Sequence, residues 1–176
     1  MRKVILALSL LGLLLGCTTP QRAARAAAEP ALKAGESYSF LILPYFEPPE
    51  EYFVMRRGER YWIGRQGYDG AGGYSYQRNA NYAEVEISGA EWQAIREPLW
   101  AAGFWTDAVT DRDEFVVLDG DSLRIVGAEG KRRKEVFLRD AYYRKDLSPL
   151  TAIATKTWQT FAAQRSGVNP VPSAGR

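Results

Sequence analysis

The sequence predicts an α+β domain in which an antiparallel sheet of about six to seven strands carries two helices packed on one face. Several short segments alternate apolar and polar residues with a period of two, as strands do, and turns of hairpin length separate them. Two longer segments repeat apolar residues at spacings of three and four, as amphipathic helices do. Because links this short join antiparallel neighbours, we expect the sheet to be antiparallel.

The first half of the domain is predicted to begin with three strands. Tyr38, Phe40 and Ile42 lie at alternate positions of the first strand, which a group of prolines then ends. Glu51–Arg56 and Arg60–Gly64 flank a short turn that contains a glycine. This arrangement indicates a hairpin.

A further strand, Tyr82–Ile87, is predicted to lead into a capped helix. Ser88 and Glu91 fit a capping box, in which the serine hydroxyl accepts the Glu91 amide N–H and the glutamate reaches back. Pro98 is expected to kink this helix, and Gly103 to end it in a left-handed cap. Its buried stripe consists of Trp92, Ile95 and Leu99.

The second half predicts a three-stranded meander followed by a second helix. Phe115–Leu118 and Leu123–Val126 flank an Asp-Gly turn, and a second turn at 128–134 leads to Glu135–Arg139. Ser148 followed by proline is a favourable helix start. The buried face of this helix is predicted to consist of Leu150, Ile153, Ala154, Thr157, Trp158 and Phe161.

The N-terminal segment has the layout of an export signal. Arg2 and Lys3 precede thirteen apolar or small residues, Val4 to Gly16, a run too short to span a bilayer. The run ends in Leu14-Leu15-Gly16-Cys17, which contains the only cysteine of the chain. This stretch resembles the lipobox of bacterial lipoproteins.

The resemblance implies a lipid anchor. It implies transfer of diacylglycerol to the Cys17 sulfur, cleavage after Gly16 and a further acyl chain, such as palmitate, on the new N-terminus. Many Gram-negative lipoproteins retained in the inner membrane carry aspartate after the cysteine, whereas this chain has Thr18. The resemblance therefore favours a lipoprotein anchored in the outer membrane and facing the periplasm.

These features divide the chain into four parts. Residues 1–16 are the predicted signal peptide, 17–36 the acylated cysteine with an alanine-rich tether, 37–167 a single domain, and 168–176 a loose tail. The chain has 23 basic and 21 acidic residues, and cleavage would remove two basic ones, so the mature side chains sum to zero. This balance argues against a nucleic-acid partner.

The composition also restricts catalytic chemistry. Histidine is absent, which removes the commonest general base and transition-metal ligand. Acylation would leave no free thiolate. We predict no cofactor and no metal site, although acidic residues between 111 and 121 leave a calcium site open. A non-enzymatic domain is favoured.

Two groups of residues are candidates for binding a partner. The glycine-rich stretch 67–76 carries Tyr68, Tyr74 and Tyr76, and tyrosine in a glycine-rich loop is typical of binding loops. The second group, in the turn at 128–134, consists of Lys131, Arg132, Arg133 and Lys134.

The function predicted from the sequence is that of a lipid-anchored periplasmic binding protein. Its partner would be an envelope protein, with inhibition of an envelope enzyme or immunity to one as a possible version. Two alternatives remain open, namely binding of peptidoglycan or lipopolysaccharide and a carboxylate-dependent hydrolase. Three tryptophans not needed in the predicted core are further candidate contacts, namely Trp62, Trp100 and Trp105.

Overall fold

The computed structural model describes residues 35–72, 75–110, 120–143 and 145–166. Within these ranges the chain forms one antiparallel sheet in the order β4-β3-β2-β1-β5-β6. The strands are β1 Glu36–Leu43, β2 Glu50–Arg57, β3 Arg60–Gly70, β4 Tyr76–Ile87, β5 Ser122–Glu129 and β6 Arg132–Leu138. The sheet and its two helices confirm the predicted α+β class.

Both helices pack on the same face of the sheet. Helix α1 spans Gly89–Ala101, and helix α2 spans Ser148–Ser166 directly after a short 3-10 helix at Lys145–Leu147. The apolar stripes of both helices join the main hydrophobic core with the side chains of the strands that point towards them. Burying these stripes against the sheet is the main source of stability for such a layered domain.

Strand β1 lies in the middle of the sheet and pairs with β2 on one edge and β5 on the other. Tyr38 and Phe40 point to the helices and are fully buried. Ser39 and Leu41, on the opposite face, are also buried. A strand covered on both faces is typical of the centre of a sheet rather than its edge.

The predicted ends of helix α1 are confirmed. The Ser88 hydroxyl accepts the Glu91 amide N–H at 3.2 Å, and a Glu91 carboxylate oxygen accepts the Ser88 N–H at 2.8 Å. At the other end Gly103 has a φ of 77°, and the Phe104 N–H reaches the Leu99 carbonyl at 3.2 Å. This is the Schellman motif, which satisfies carbonyls at the helix end.

The structure corrects three expectations. Trp158, predicted to lie in the buried stripe of α2, is 46% exposed, because the helix turns its threonine side towards the sheet with Thr157 fully buried.

The turn at 128–134 is shorter than predicted, since β5 continues to Glu129 and β6 begins at Arg132. The stretch 67–76 is not all loop, because β3 reaches Gly70 and β4 begins at Tyr76. The predicted strand at 115–118 lies outside the described residues.

The antiparallel order gives the sheet two distinct ends. At the turn end lie Gly35, the β2–β3 turn with Gly58, and the β5–β6 turn with Gly130. At the loop end lie the β1–β2 loop 44–49, the described residues 71, 72 and 75 of the β3–β4 connection, and residues 139–143 after β6. Gly35, the first described residue, therefore lies at the turn end.

Gly64 on β3 provides a test of the packing. A Cβ atom at this position would lie 2.2 Å from Cζ of Phe53 and 2.7 Å from the Ala83 carbonyl oxygen. We expect Gly64→Ala to lower the free energy of unfolding by about 1–3 kcal/mol, because the ring and the neighbouring strand have to move. Urea denaturation measures the change. Gly35→Ala is the matched control, since its Cβ would have only one neighbour, at 3.9 Å, and an equal loss there would contradict the packing argument.

Candidate partner-binding surface

The β1–β2 loop exposes an aromatic residue at the loop end of the sheet. Pro44, Pro48 and Pro49 keep this segment out of the strands, because proline lacks the N–H that a ladder needs. Phe46, between them, is 64% exposed and contacts the Tyr45 ring edge to face at a centroid distance of 4.9 Å.

The segment after β6 exposes two more aromatic residues at the same end. Asp140 has a φ of 51° and turns the chain, and the Tyr143 N–H reaches the Asp140 carbonyl at 3.0 Å. This turn leaves Tyr142 39% and Tyr143 67% exposed. Gly120 is required beneath it, because a Cβ there would lie 1.8 Å from the Asp140 carboxylate.

Asp121 connects these two segments. Its carboxylate accepts the backbone N–H of Tyr45, and its backbone carbonyl accepts the Ala141 N–H at 3.0 Å. Burial raises the pKa of the Asp121 carboxyl, and the nearby Glu47 carboxylate raises it further, against the lowering effect of the Tyr45 N–H. Asp121 is therefore flanked by three aromatic residues, Phe46, Tyr142 and Tyr143. We call these three residues the distal surface.

A groove of about 500 Å³ opens beside the distal surface. One wall is the proline loop and the other is the ladder between β3 and β4. Its lining combines proline rings with acidic, basic and amide side chains: Ile42, Pro44, Glu47, Pro48, Pro49, Glu50, Arg65, Gly67, Tyr68, Asp69, Asn79 and Asn81. An apolar wall with a few polar groups is the usual composition of a binding groove.

A β-bulge shapes the far wall of this groove. The pairing of β3 with β4 shifts between Gln66 and Tyr68. The Gln66 amide donates to the Asn79 carbonyl at 2.8 Å, and Asn79 in turn accepts the Asn81 N–H at 2.9 Å. Bulges re-aim side chains and occur often beside binding sites. Here the bulge turns two asparagines towards the groove.

The β3–β4 turn is fastened to the proline loop. The Gly72 N–H donates to the Glu47 carbonyl at 3.1 Å. A Cβ on Gly72 would lie 2.4 Å from the Pro44 carbonyl oxygen, so only glycine allows this approach. The two segments that border the groove are therefore held together by backbone contacts.

The tyrosines predicted to bind a partner have other roles in the structure. Tyr68 is buried, and its hydroxyl donates to Glu51 at 2.7 Å while Arg78 approaches both groups. Burial raises the pKa of Tyr68, as does Glu51. Tyr76 is partly buried and packs edge to face on Tyr68 at 5.6 Å. Tyr74 lies outside the described residues.

The four consecutive cations do not form one patch. Lys131 is exposed in the turn, whereas the other three lie on β6 and alternate between the faces of the sheet. Arg132 pairs with Glu129 at 2.6 Å and Arg133 with Glu135 at 3.4 Å. The Lys134 ammonium donates to the Thr106 carbonyl at 2.5 Å. Tyr142 and Tyr143 lie beyond the opposite end of β6 from Lys131.

The described part of the chain contains neither a metal-binding cluster nor a membrane-spanning helix. No group of three or more acidic, histidine or cysteine residues there could hold a metal ion. Most of the acidic stretch 111–121 lies outside the described residues. None of the described helices is long and apolar enough to cross a membrane.

No protein-family model matches the sequence, and a search of curated proteins finds no similar chain.

Sequence reasoning missed Phe46 as a candidate contact. The signal is present, because a Tyr-Phe pair stands in a segment whose prolines exclude it from the sheet. Aromatic residues in such a loop have no strand face on which to become buried. The exposure of Tyr142 and Tyr143 depends on the turn at Asp140, which no local pattern predicts.

Asp121 gives a pH-dependent prediction. Folding raises the pKa of the Asp121 carboxyl, so ionisation of this group lowers the stability of the folded state. This loss of stability is absent below the pKa of the unfolded chain, about 4, and is complete above the pKa of the folded chain. We expect Asp121→Asn to be more stable than the wild type at pH 7. The difference should shrink towards zero as the pH falls to about 4 and below.

Urea denaturation at several pH values measures this difference. Asp107→Asn, which changes an exposed carboxylate elsewhere, is the control and should alter stability by less than about 0.5 kcal/mol. A variant less stable than the wild type at pH 7 would show that the contacts of the carboxylate outweigh its burial.

Proposed function

We propose that the chain is a bacterial lipoprotein, anchored through Cys17 on the periplasmic face of the outer membrane, whose domain binds an envelope protein without catalysing a reaction. The lipobox at residues 14–17 supports the anchor. The distal surface supports the binding role and is the observation that carries this proposal.

Three features favour the distal surface as a protein contact. Phe46 and Tyr143 are each about two-thirds exposed, although large aromatic residues are usually buried. Aromatic residues dominate the energetic centres of protein interfaces. The surface also lies at the loop end, opposite the turn end where the tether leaves. A domain held by that tether therefore presents the surface to the periplasm.

The tyrosines and cations predicted from sequence become secondary in this proposal. Tyr68 lines the groove and Tyr76 packs on Tyr68, and the cations lie mainly at the turn end. A second candidate ligand is cell-wall glycan, which the amide side chains of Asn79 and Asn81 in the groove favour, since amides bind hydroxyl groups well.

The lipid anchor is tested by replacing Cys17. We expect Cys17→Ser to abolish labelling by a palmitate analogue and to weaken membrane attachment at physiological salt, because none of the described helices is long and apolar enough to cross a membrane. Thr18→Asp should keep the label but shift the protein to the inner membrane. Retention of label by Cys17→Ser would contradict lipidation at this residue.

The distal surface is tested by photo-crosslinking in the envelope of the source organism. A photo-reactive residue placed at 46 or 143 is expected to give the same crosslinked species. Tyr143→Ala should remove the species formed from position 46, because loss of an interface anchor typically weakens binding by 2 kcal/mol or more. The free energy of unfolding of Tyr143→Ala should differ from that of the wild type by less than about 0.5 kcal/mol, since Tyr143 is exposed.

Position 158 is the matched control, because Trp158 is also an exposed aromatic but lies on α2. The same species from position 158, or none from 46 and 143, would contradict the proposal. A product whose added mass is removed by muramidase would indicate cell-wall glycan instead.

A further inference from the structure

The turn end of the sheet carries a second surface, built around the point where the tether leaves. The Gly35 N–H donates to the Arg56 carbonyl, and the Gly35 carbonyl accepts the Gly130 N–H, both at 3.1 Å. Gly35, the first described residue, therefore lies between the two turns. The predicted tether, 17–36, is expected to have a root-mean-square reach of roughly 20–26 Å as a flexible coil.

Tryptophan side chains lie beside this exit. The Trp100 and Trp105 indole N–H groups both donate to the Tyr38 hydroxyl, at 2.6 and 3.2 Å. Tyr38 itself donates to Glu36, the residue after Gly35. Trp100 is nevertheless 38% exposed, and its ring meets the Trp105 ring edge to face at 6.4 Å. The indoles are thus fixed by hydrogen bonds while part of their surface faces outward.

Guanidinium groups cover these two indoles. The Arg132 guanidinium lies 4.0 Å from the Trp105 ring centroid and 5.3 Å from that of Trp100. Arg96 lies 4.4 Å from the Trp100 centroid and donates to Glu36 at 2.6 Å. Tryptophan with arginine is the composition found at the headgroup level of membranes, where indoles and cations both find partners.

Most charged side chains at this end are paired, and two exposed cations are not. Most acidic side chains on its strands and turns have an arginine partner, as in the pairs Glu84–Arg57, Glu129–Arg132 and Glu36–Arg96. Arg56 and Lys131 are exposed, with no acidic partner within 4 Å among the described residues. Glu59 is the one exposed acid of the two turns without an arginine partner in that part of the chain.

We propose that the turn end is the membrane-facing side of the domain, where Trp100, Trp105 and Arg132, with Arg56 and Lys131, rest on anionic phospholipid headgroups. This inference rests on the proposed lipid anchor, because the tether holds the domain within reach of the surface. A short tether provides a millimolar effective concentration, so a weak surface contact is enough to orient the domain.

The first measurement uses the mature chain from residue 17 carrying Cys17→Ser, so that it does not depend on the anchor. It should bind vesicles of 30% phosphatidylglycerol in phosphatidylcholine at low salt, and bind pure phosphatidylcholine less. Lys131→Glu should weaken binding about 30-fold, as expected for the change of two charges at such a surface. Lys156→Glu, the same change on α2, should leave it nearly unchanged.

Two results would overturn the proposal. One is equal binding to both kinds of vesicle, and the other is an effect of Lys156→Glu as large as that of Lys131→Glu. Lys131 lies in an exposed turn, so its replacement is not expected to disturb folding.

The second measurement uses the lipidated chain in vesicles that contain a headgroup-level quencher of tryptophan fluorescence. Trp100→Phe should remove more of the quenching than Trp158→Phe, although Trp158 is the more exposed of the two. The reverse order would overturn the proposed orientation. Failure of the lipid anchor would appear differently, as loss of the chain from vesicles of either composition, and it would leave the first measurement unaffected.

Discussion

The pairing of β1 on both of its edges is the constraint on which the domain depends. β2, β3 and β4 follow one another as antiparallel neighbours, and so do β5 and β6, but only β1 joins these two groups into one sheet. Its side chains are also buried on both faces of the sheet. Tyr38 and Phe40 belong to the main core, and Leu41 belongs to a second cluster with Leu43 and Tyr68. The positions of the tether exit, the groove and the distal surface all follow from this central strand.

The Tyr38 hydroxyl shows how polar groups are accommodated beside that strand. It accepts two indole N–H groups and donates to Glu36, so that its hydrogen-bonding capacity is filled. Burial, more than any single neighbour, raises the pKa of Tyr38 to about 12, so the hydroxyl keeps its proton at neutral pH. Glu36, which is also buried, is compensated by Arg96. The first residues after the tether are thereby locked to helix α1.

Local patterns in the sequence predicted those parts of the fold that local chemistry decides. The capping box at Ser88, the glycine cap at Gly103 and the stripe of α1 need only a few neighbouring residues, and all three are confirmed. Trp158 was misplaced because helical spacing defines a broad stripe but not which edge of it meets the sheet. The distal surface was harder to predict from the sequence, since Asp121 joins segments that are far apart in the chain.

The run of cations at 131–134 illustrates the same limit. As a sequence it resembles a charged turn, but most of it forms β6, the outermost described strand beside β5. Charged side chains on an edge strand discourage pairing with strands of other molecules, which gives these residues a structural role whether or not they touch lipid.

The central position of β1 also has a consequence for how the chain becomes folded. Among the described elements β1 is synthesised first, yet its partner β5 follows only after three further described strands and a described helix. Until β5 arrives, β1 has an unpaired edge and the core stays incomplete, and contacts between such distant segments form slowly. For the exported lipoprotein proposed above, this delay is an advantage, because a chain whose domain closes late stays unfolded longer and can still be translocated.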